Sequence, residues 1–190
     1  MEWDANFTQP LPRKFSFAGR FAGGISKSFT TAEVPYQKQQ FIGGPYSLRG
    51  WPIRKIGPGG YNDPINDSSS TAPFYQSGDF RVEATAELRY PIWWIWEGAL
   101  FADAGNIWTW KDDPQRPKSG LGDFGKEIAL NTGFGIRGDF SYFVVRLDWG
   151  LPLRNNFRDE NDRYWIYGKS GAALQIRDLN WNVAIGYPFQ

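Results

Sequence analysis

The sequence contains no cysteine and no histidine among its 190 residues. Without cysteine there are no disulfides, thiolate nucleophiles or thiolate metal ligands, and without histidine the commonest general base and metal ligand is missing too. These absences leave few of the side chains on which enzymes rely. We therefore expect no enzymatic activity, no catalytic residue, no metal site and no cofactor.

A strong net charge and a long hydrophobic run are also missing. The formal net charge is +1 and the pI is near 7.9, so the chain lacks the basic excess that attracts a phosphate backbone, and nucleic acid is not an expected partner. The richest apolar stretch, residues 90–96, is far shorter than the ~20 residues of a spanning helix. If the chain crosses a membrane, we expect it to do so with strands.

Aromatic residues, by contrast, are abundant. They make up 18% of the chain, and ten of them are tryptophans. This enrichment fits the girdles of Trp and Tyr that lie at both headgroup levels of a membrane barrel. The mean hydropathy of -0.51 is compatible with a barrel, because only every second residue of its strands meets lipid.

The last twelve residues alternate between apolar and small or polar side chains. Because neighbouring side chains of a strand point to opposite faces, this pattern predicts a β-strand with one broad apolar face. Its position favours the closing strand of an outer-membrane barrel, which has this form. The apolar face consists of Leu179, Trp181, Val183, Ile185, Tyr187 and Phe189.

Alternation elsewhere predicts an antiparallel meander in which short turns and long polar loops follow each other. The predicted strands lie at about 2–8, 14–28, 80–90, 94–108, 128–140, 142–151 and 179–189. The short turns are expected at 10–12, at Pro91-Ile92 and at 138–141, and the long loops at 30–78, 111–126 and 154–170. We count about seven strands, or eight if Met1 truncates one or the residues in the 30s contain one. Because bacterial single-chain barrels close with an even number, an odd count that begins in mid-pattern predicts a missing N-terminal part.

A soluble β-sandwich would also alternate. The polar faces of the predicted strands count against it, because they carry charges of both signs that a sandwich would have to place outside. A polar barrel lumen accommodates such charges, so we favour strands that face lipid. The charged residues are Arg81, Glu83, Glu87, Arg89, Arg137, Arg146 and Asp148.

Two segments contain recognisable motifs in addition to the alternation. They are FIGGPYSLRGW at 41–51 and LFADAGNIW at 100–108. Three more follow in order, namely GFGIR at 133–137, LDWGLPL at 147–153 and AIGYPF at 184–189. As an ordered set they resemble the bacterial surface antigen family, the outer-membrane assembly and translocation barrels of the BamA and TamA type. The resemblance covers nearly the whole chain and the C-terminal half of that family's sixteen-stranded barrel.

The resemblance implies one C-terminal transmembrane β-barrel domain over residues 1–190, with the long loop at 30–78 folded into the lumen. In that family an Arg-Gly-aromatic loop tip meets acids of the barrel wall. The matching tip here is Leu48, Arg49, Gly50 and Trp51, and the matching wall residues are Glu87 and Asp103, with Phe101 and Gly105 on the Asp103 face.

The residues alone agree with this pairing. Glu87 and Asp103 fall on consecutive antiparallel strands, and a guanidinium can donate to both carboxylates in a fixed fork. An arginine held by two acids inside a barrel is more often a contact that locks the fold than a reactive site. For a loop that fixes the shape of a barrel, the structural interpretation and the functional interpretation partly coincide.

The resemblance further implies a bacterial outer-membrane protein of Gram-negative cells that inserts outer-membrane proteins or translocates them. Expected partners are the lipid bilayer, unfolded outer-membrane protein substrates, and either the missing N-terminal barrel half or a second copy of the chain. The strand at 179–189 would form one lip of a seam. Two alternatives stay open: a small structural or pore-forming barrel without insertase activity, and the barrel of a fusion to an upstream enzyme domain.

Overall fold

The computed structural model describes residues 1–27, 38–62, 76–111, 113–114, 116–157, 164–167 and 178–186. Within them, one seven-stranded antiparallel sheet follows the order of the chain, which confirms the predicted all-β meander. Two short 3-10 helices, Pro12–Lys14 and Leu121–Asp123, accompany it, and no described helix is long and apolar enough to cross a membrane. The strands are β1 (Glu2–Pro10), β2 (Ser16–Ile25), β3 (Phe80–Trp93), β4 (Trp96–Trp108), β5 (Ala129–Asp139), β6 (Val144–Arg154) and β7 (Asn180–Gly186).

The turn predicted at Pro91-Ile92 is wrong. β3 continues to Trp93, and the chain reverses at Trp94 and Ile95, where Trp94 has a φ of 51°. The strand register shifts between Pro91 and Trp93, and a bulge is one of the few places where a sheet accepts proline, which cannot donate to the ladder. The proline therefore marks an irregularity of the strand, and the turn follows it.

The two faces of the sheet differ sharply in polarity. One face, which we call the inner face, buries the carboxylates of Glu83, Glu87, Asp103 and Asp148. The opposite, outer face leaves large apolar side chains uncovered, and Trp181 is 71% exposed. A sandwich would bury such a face, whereas a membrane barrel presents it to lipid. Other exposed apolar residues of the outer face are Phe7, Phe21, Leu100, Phe134, Leu147, Val183 and Ile185.

The sheet is strongly curled. Arg20 of β2 donates to the Tyr46 carbonyl at 2.9 Å, and the Tyr46 hydroxyl donates to the Ile185 carbonyl of β7 at 2.7 Å. In a flat sheet β2 and β7 would lie roughly 24 Å apart, since neighbouring strands are about 4.8 Å apart. One arginine and one tyrosine side chain cannot bridge that distance, so the inner face is concave. Within the described part of the chain, β1 and β7 are not paired with each other.

Backbone hydrogen bonds at the β5–β6 turn determine which way the residues of β6 face. The Phe140 N–H donates to the Phe143 carbonyl at 3.0 Å, so Phe143 directs its backbone groups toward β5. Consecutive residues of a strand direct these groups to opposite sides. Val144 and every second residue up to Gly150 therefore face β7.

The same alternation shows which residues of β7 lie along the edge with which no described strand pairs, and we call this the free edge. Ala184 pairs with Arg146, and Asn182 pairs with Asp148, so the backbone groups of Ala184 and Asn182 are used by β6. The residues between them direct N–H and C=O groups away from β6. The free edge of β7 accordingly offers the backbone groups of Trp181, Val183 and Ile185.

The last strand is placed close to its predicted range. Leu179 lies immediately before β7, one residue outside the strand, a difference that strand assignments commonly show. Trp181, Val183 and Ile185 lie on the outer face as predicted. The remaining predicted residues of this strand, Tyr187 and Phe189, lie outside the described residues.

A lysine on the outer face tests the lipid-facing assignment. We expect Leu100→Lys, near the middle of β4, to lower the free energy of unfolding in lipid vesicles by ~2–4 kcal/mol, the cost of a lysine at mid-bilayer. The matched control is Gly125→Lys in the loop between β4 and β5, where a Cβ meets nothing within 4 Å. Urea titration monitored by tryptophan fluorescence gives both values, and equal values for the two variants would contradict the assignment.

Candidate functional site

The segment 38–62 of the long loop folds over the inner face and forms a small core of its own. Gly43 and Gly44 have φ values of 103° and 84°, a region that favours glycine, and the Gly44 N–H donates to the Trp51 carbonyl at 2.8 Å. The loop thus doubles back and presents residues 48–50 at its tip. Its buried apolar residues, joined by two from the wall, are Ile42, Leu48, Ile56, Ile107 and Ala129.

Arg49 at the loop tip is almost completely buried, with 3% of its surface exposed, and two wall acids neutralise it. Its Nε and Nη2 donate to the two carboxylate oxygens of Asp103 at 3.0 and 2.8 Å. Its Nη1 donates to Glu87 Oε2 at 2.9 Å. This two-point fork needs a planar guanidinium, and a lysine ammonium could not reproduce it.

Further contacts fix the guanidinium in orientation as well as in position. Its Cζ lies 3.4 Å from the ring centroid of Phe101, a cation-π distance. The amide of Asn131 donates to Asp103 Oδ2 at 2.9 Å and so holds the carboxylate in place. Burial opposes the charge of Arg49, but the charges of Asp103, Glu87 and Asp148 outweigh it and hold the Arg49 pKa above its ordinary value.

Glycines on the wall make room for this approach. Gly133 and Gly150 lie opposite each other on β5 and β6. A Cβ on Gly150 would lie 2.4 Å from the Arg49 carbonyl oxygen, and a Cβ on Gly133 would lie 2.5 Å from Phe101 Cζ. The backbone of the loop tip therefore packs directly on the backbone of the sheet.

The last strand holds the same loop residue from the other side. Asn180 and Asn182 of β7 each donate a side-chain N–H to the Arg49 carbonyl at 2.9 Å. The β6 acid Asp148 lies 3.9 Å from Arg49 Nη1 and pairs with Arg146 at 3.1 Å. Sequence reasoning placed Asp148 on the polar face but missed the contacts of Asp148, Asn180 and Asn182 with Arg49. The sequence of a long strand does not indicate at which of its residues a loop will dock.

A second set of contacts between the loop and the wall lies next to those of Arg49, and sequence reasoning missed it as well. The Ser47 hydroxyl donates to Glu83, a buried acid of β3. Arg20 joins Glu83 Oε1 at 3.0 Å and Asp4 of β1 at 2.6 Å. The only available signal was the alternation that put Glu83 on a polar face.

The predicted site residues divide into two groups. Leu48, Arg49 and Gly50 meet the wall residues Glu87, Phe101, Asp103 and Gly105, and Trp51 packs beside them against the core of the loop. The outward-facing residues of β7 do not touch Arg49. They are linked to it through Asn180 and Asn182 of the same strand.

The chemistry of the site is charge pairing. Arg89 and Arg137 also contact Glu87, at 2.7 and 2.5 Å, so four arginines surround three carboxylates on this part of the wall. No group of three or more His, Cys, Asp or Glu residues in the described ranges could hold a metal ion. The arrangement holds a loop and a wall together in a fixed geometry.

A match to a family model identifies the protein family to which the chain belongs. Residues 1–189 match the Omp85 superfamily domain. The chain belongs to the Omp85 superfamily. This Omp85 chain is therefore an outer-membrane β-barrel segment of a family of assembly and translocation barrels, in agreement with the family and the location predicted from the sequence.

A solved structure shows the same fold. The crystal structure of BamA from Haemophilus ducreyi lacking POTRA domains 1-3 superimposes with a TM-score of 0.62 at 20% sequence identity. The match covers 96% of this Omp85 chain and 34% of that chain. Our chain thus spans about a third of the length of the BamA structure that it matches, and the likeness concerns the barrel fold.

Removing the guanidinium should destabilise the fold. We expect Arg49→Ala to lower the free energy of unfolding by ~3–5 kcal/mol, because it leaves buried carboxylates without their partner. Adding Asp103→Asn to Arg49→Ala should restore part of that loss. The control Lys55→Ala, at an exposed position of the same loop, should change stability by less than about 1 kcal/mol. An Arg49→Ala protein as stable as Lys55→Ala would refute the buried pairing.

A methyl group at Gly150 should weaken the docking of the loop tip on the sheet. Gly150→Ala would place a Cβ 2.4 Å from the Arg49 carbonyl, and overpacking of this kind costs ~1–3 kcal/mol. Gly122→Ala is the control, since a Cβ there meets nothing within 4 Å. Hydrogen exchange at the loop amides should rise in Gly150→Ala alone. Unchanged exchange in both variants would show that the loop does not rest on this glycine.

Proposed function

We propose that this Omp85 chain is the barrel part of a machine that inserts unfolded outer-membrane proteins into the membrane or translocates them, without making or breaking a bond. The observation that carries the proposal is the double attachment of Arg49. Its guanidinium binds β3 and β4, while its carbonyl binds β7. One loop residue thus ties the wall to the strand that has a free edge.

In this proposal the edge of β7 is the working surface. Its backbone groups at Trp181, Val183 and Ile185 point away from β6, and in lipid an unpaired N–H or C=O costs several kcal/mol. A strand of a substrate protein that pairs there satisfies these groups by β-augmentation. The edge therefore acts as a template for a strand entering the bilayer.

The loop has the complementary role of holding the inner face constant. In this proposal the sheet keeps its curvature while the edge of β7 is unpaired. The buried pairs of Arg49 and the tie of Ser47 to Glu83 supply that rigidity from within the lumen. Loss of Arg49 should accordingly impair both stability and insertion.

A passive pore is the weaker alternative. The loop tip occupies the inner face, and a cavity of about 480 Å³ lies beside it. Charged side chains of both signs line that cavity, among them Arg20, Glu87, Arg137 and Arg146. A loop fastened across the interior narrows the path that a small solute would take along the inner face.

The proposal can be tested at a single backbone N–H. Proline at position 183 removes an N–H that faces the free edge but leaves the β6–β7 ladder intact. We expect Val183→Pro in the full-length protein, reconstituted in lipid vesicles, to slow insertion of a small outer-membrane barrel by roughly tenfold, the effect of one unsatisfied backbone group. The gel shift of the inserted substrate before boiling measures the rate.

The matched control is Val183→Ala, which shortens the same side chain but keeps the N–H. It should insert the substrate at the unmodified rate. A Val183→Pro protein that is folded, shown by its own gel shift, and that inserts substrate as fast as Val183→Ala would overturn the proposal.

A further inference from the structure

Tyr46 contacts β2 near one end of the sheet and the neighbouring strands β6 and β7 at the other. Arg20 of β2 donates to its carbonyl at 2.9 Å, and the guanidinium of Arg146 on β6 lies 5.7 Å from its ring centroid. Its hydroxyl donates to the Ile185 carbonyl on β7 at 2.7 Å. The neighbouring Ser47 is fixed to Glu83, so the backbone of this segment is anchored independently of the tyrosine side chain.

The carbonyl that accepts this hydrogen bond lies on the free edge of β7. Because Ala184 pairs with Arg146, the backbone groups of Ile185 point away from β6. Ile185 is therefore one of the edge residues that a pairing strand would use. The phenol satisfies an acceptor that would otherwise be exposed at the edge of a membrane-embedded sheet.

We propose that Tyr46 is an edge cap: its hydroxyl occupies the Ile185 carbonyl until a substrate strand pairs with β7, and so regulates access to that edge. This inference rests on the proposed function, since it assigns a control element to the same edge. The partner whose access is regulated is an extended polypeptide segment that offers backbone N–H groups to β7.

The cap delays pairing without preventing it. A carbonyl oxygen has two lone pairs, and Tyr46 is 55% exposed, so the phenol can be displaced while the loop stays docked through Arg49. The arrangement keeps two tasks apart. Arg49 fixes the position of the loop, and Tyr46 sets the ease with which one edge acceptor becomes free.

The test measures capture of a strand by the edge. These 190 residues contain no cysteine, so Val183→Cys supplies the only thiol among them. Any cysteine elsewhere in the full-length protein is replaced by serine, and the protein is kept in detergent micelles. The probe is a fluorescent synthetic peptide with the sequence of residues 179–190 and an added N-terminal cysteine, joined by a short bismaleimide. The background is Leu100→Cys on a central strand, because Leu100 and Val183 are 51% and 50% exposed.

We expect Tyr46→Phe, which removes only the hydroxyl, to raise the rate of capture about fivefold, the factor that one net hydrogen bond corresponds to. Tyr142→Phe removes a hydroxyl from an exposed residue of the β5–β6 turn and should leave the rate unchanged. Each variant carries Val183→Cys, and its gel shift before boiling verifies that it is folded.

Equal capture rates for Tyr46→Phe and Tyr142→Phe would overturn the edge cap. Equal rates above the Leu100→Cys background would reject the cap alone and leave pairing at the β7 edge intact. Equal rates at that background would reject both the cap and the use of this edge. Capture by Tyr46→Phe well above both the background and the Tyr142→Phe protein would support the cap.

Discussion

The structure depends on the pairing of charges on a concave face whose reverse side is turned to lipid. An outer face of uncovered apolar side chains leaves the inner face as the place for ionised groups. Each must then find a partner, because an unpaired charge away from water is costly. Arg49 is the centre of this arrangement, since it neutralises Asp103 and Glu87 together. The loop position, the glycines beneath it and the asparagines of β7 all follow from bringing that one guanidinium to the wall.

Rigidity and an open edge occur side by side in this sheet. The tip of the loop has polar contacts with β2, β3, β4, β6 and β7 through the segment 45–49. Most of these contacts end on side chains or on backbone groups of the interior, whereas Tyr46 reaches a backbone acceptor at the edge of β7. The segment 45–49 therefore influences both the shape of the inner face and the occupancy of the Ile185 carbonyl at the free edge of β7.

The sequence predicted the parts of this structure that depend on periodicity and charge. Alternation placed Glu87 and Asp103 on one face and Trp181 on the other, because a period of two is a local property. The turn at Pro91-Ile92 was predicted wrongly, since a bulge accommodates the proline and this depends on the register with β4. The roles of Asn180, Asn182 and Tyr46 depend on how far the sheet curls. That is a long-range property without a local signature in the sequence.

Three short turns, at residues 11–15, 94–95 and 140–143, connect six of the seven strands as three hairpins. Each joins two neighbouring strands into a hairpin whose contacts are local in the sequence. The partners of Arg49 come from two of these hairpins and from β7. The loop can reach its final position only after these units have come together. The docked loop therefore marks a correctly assembled wall.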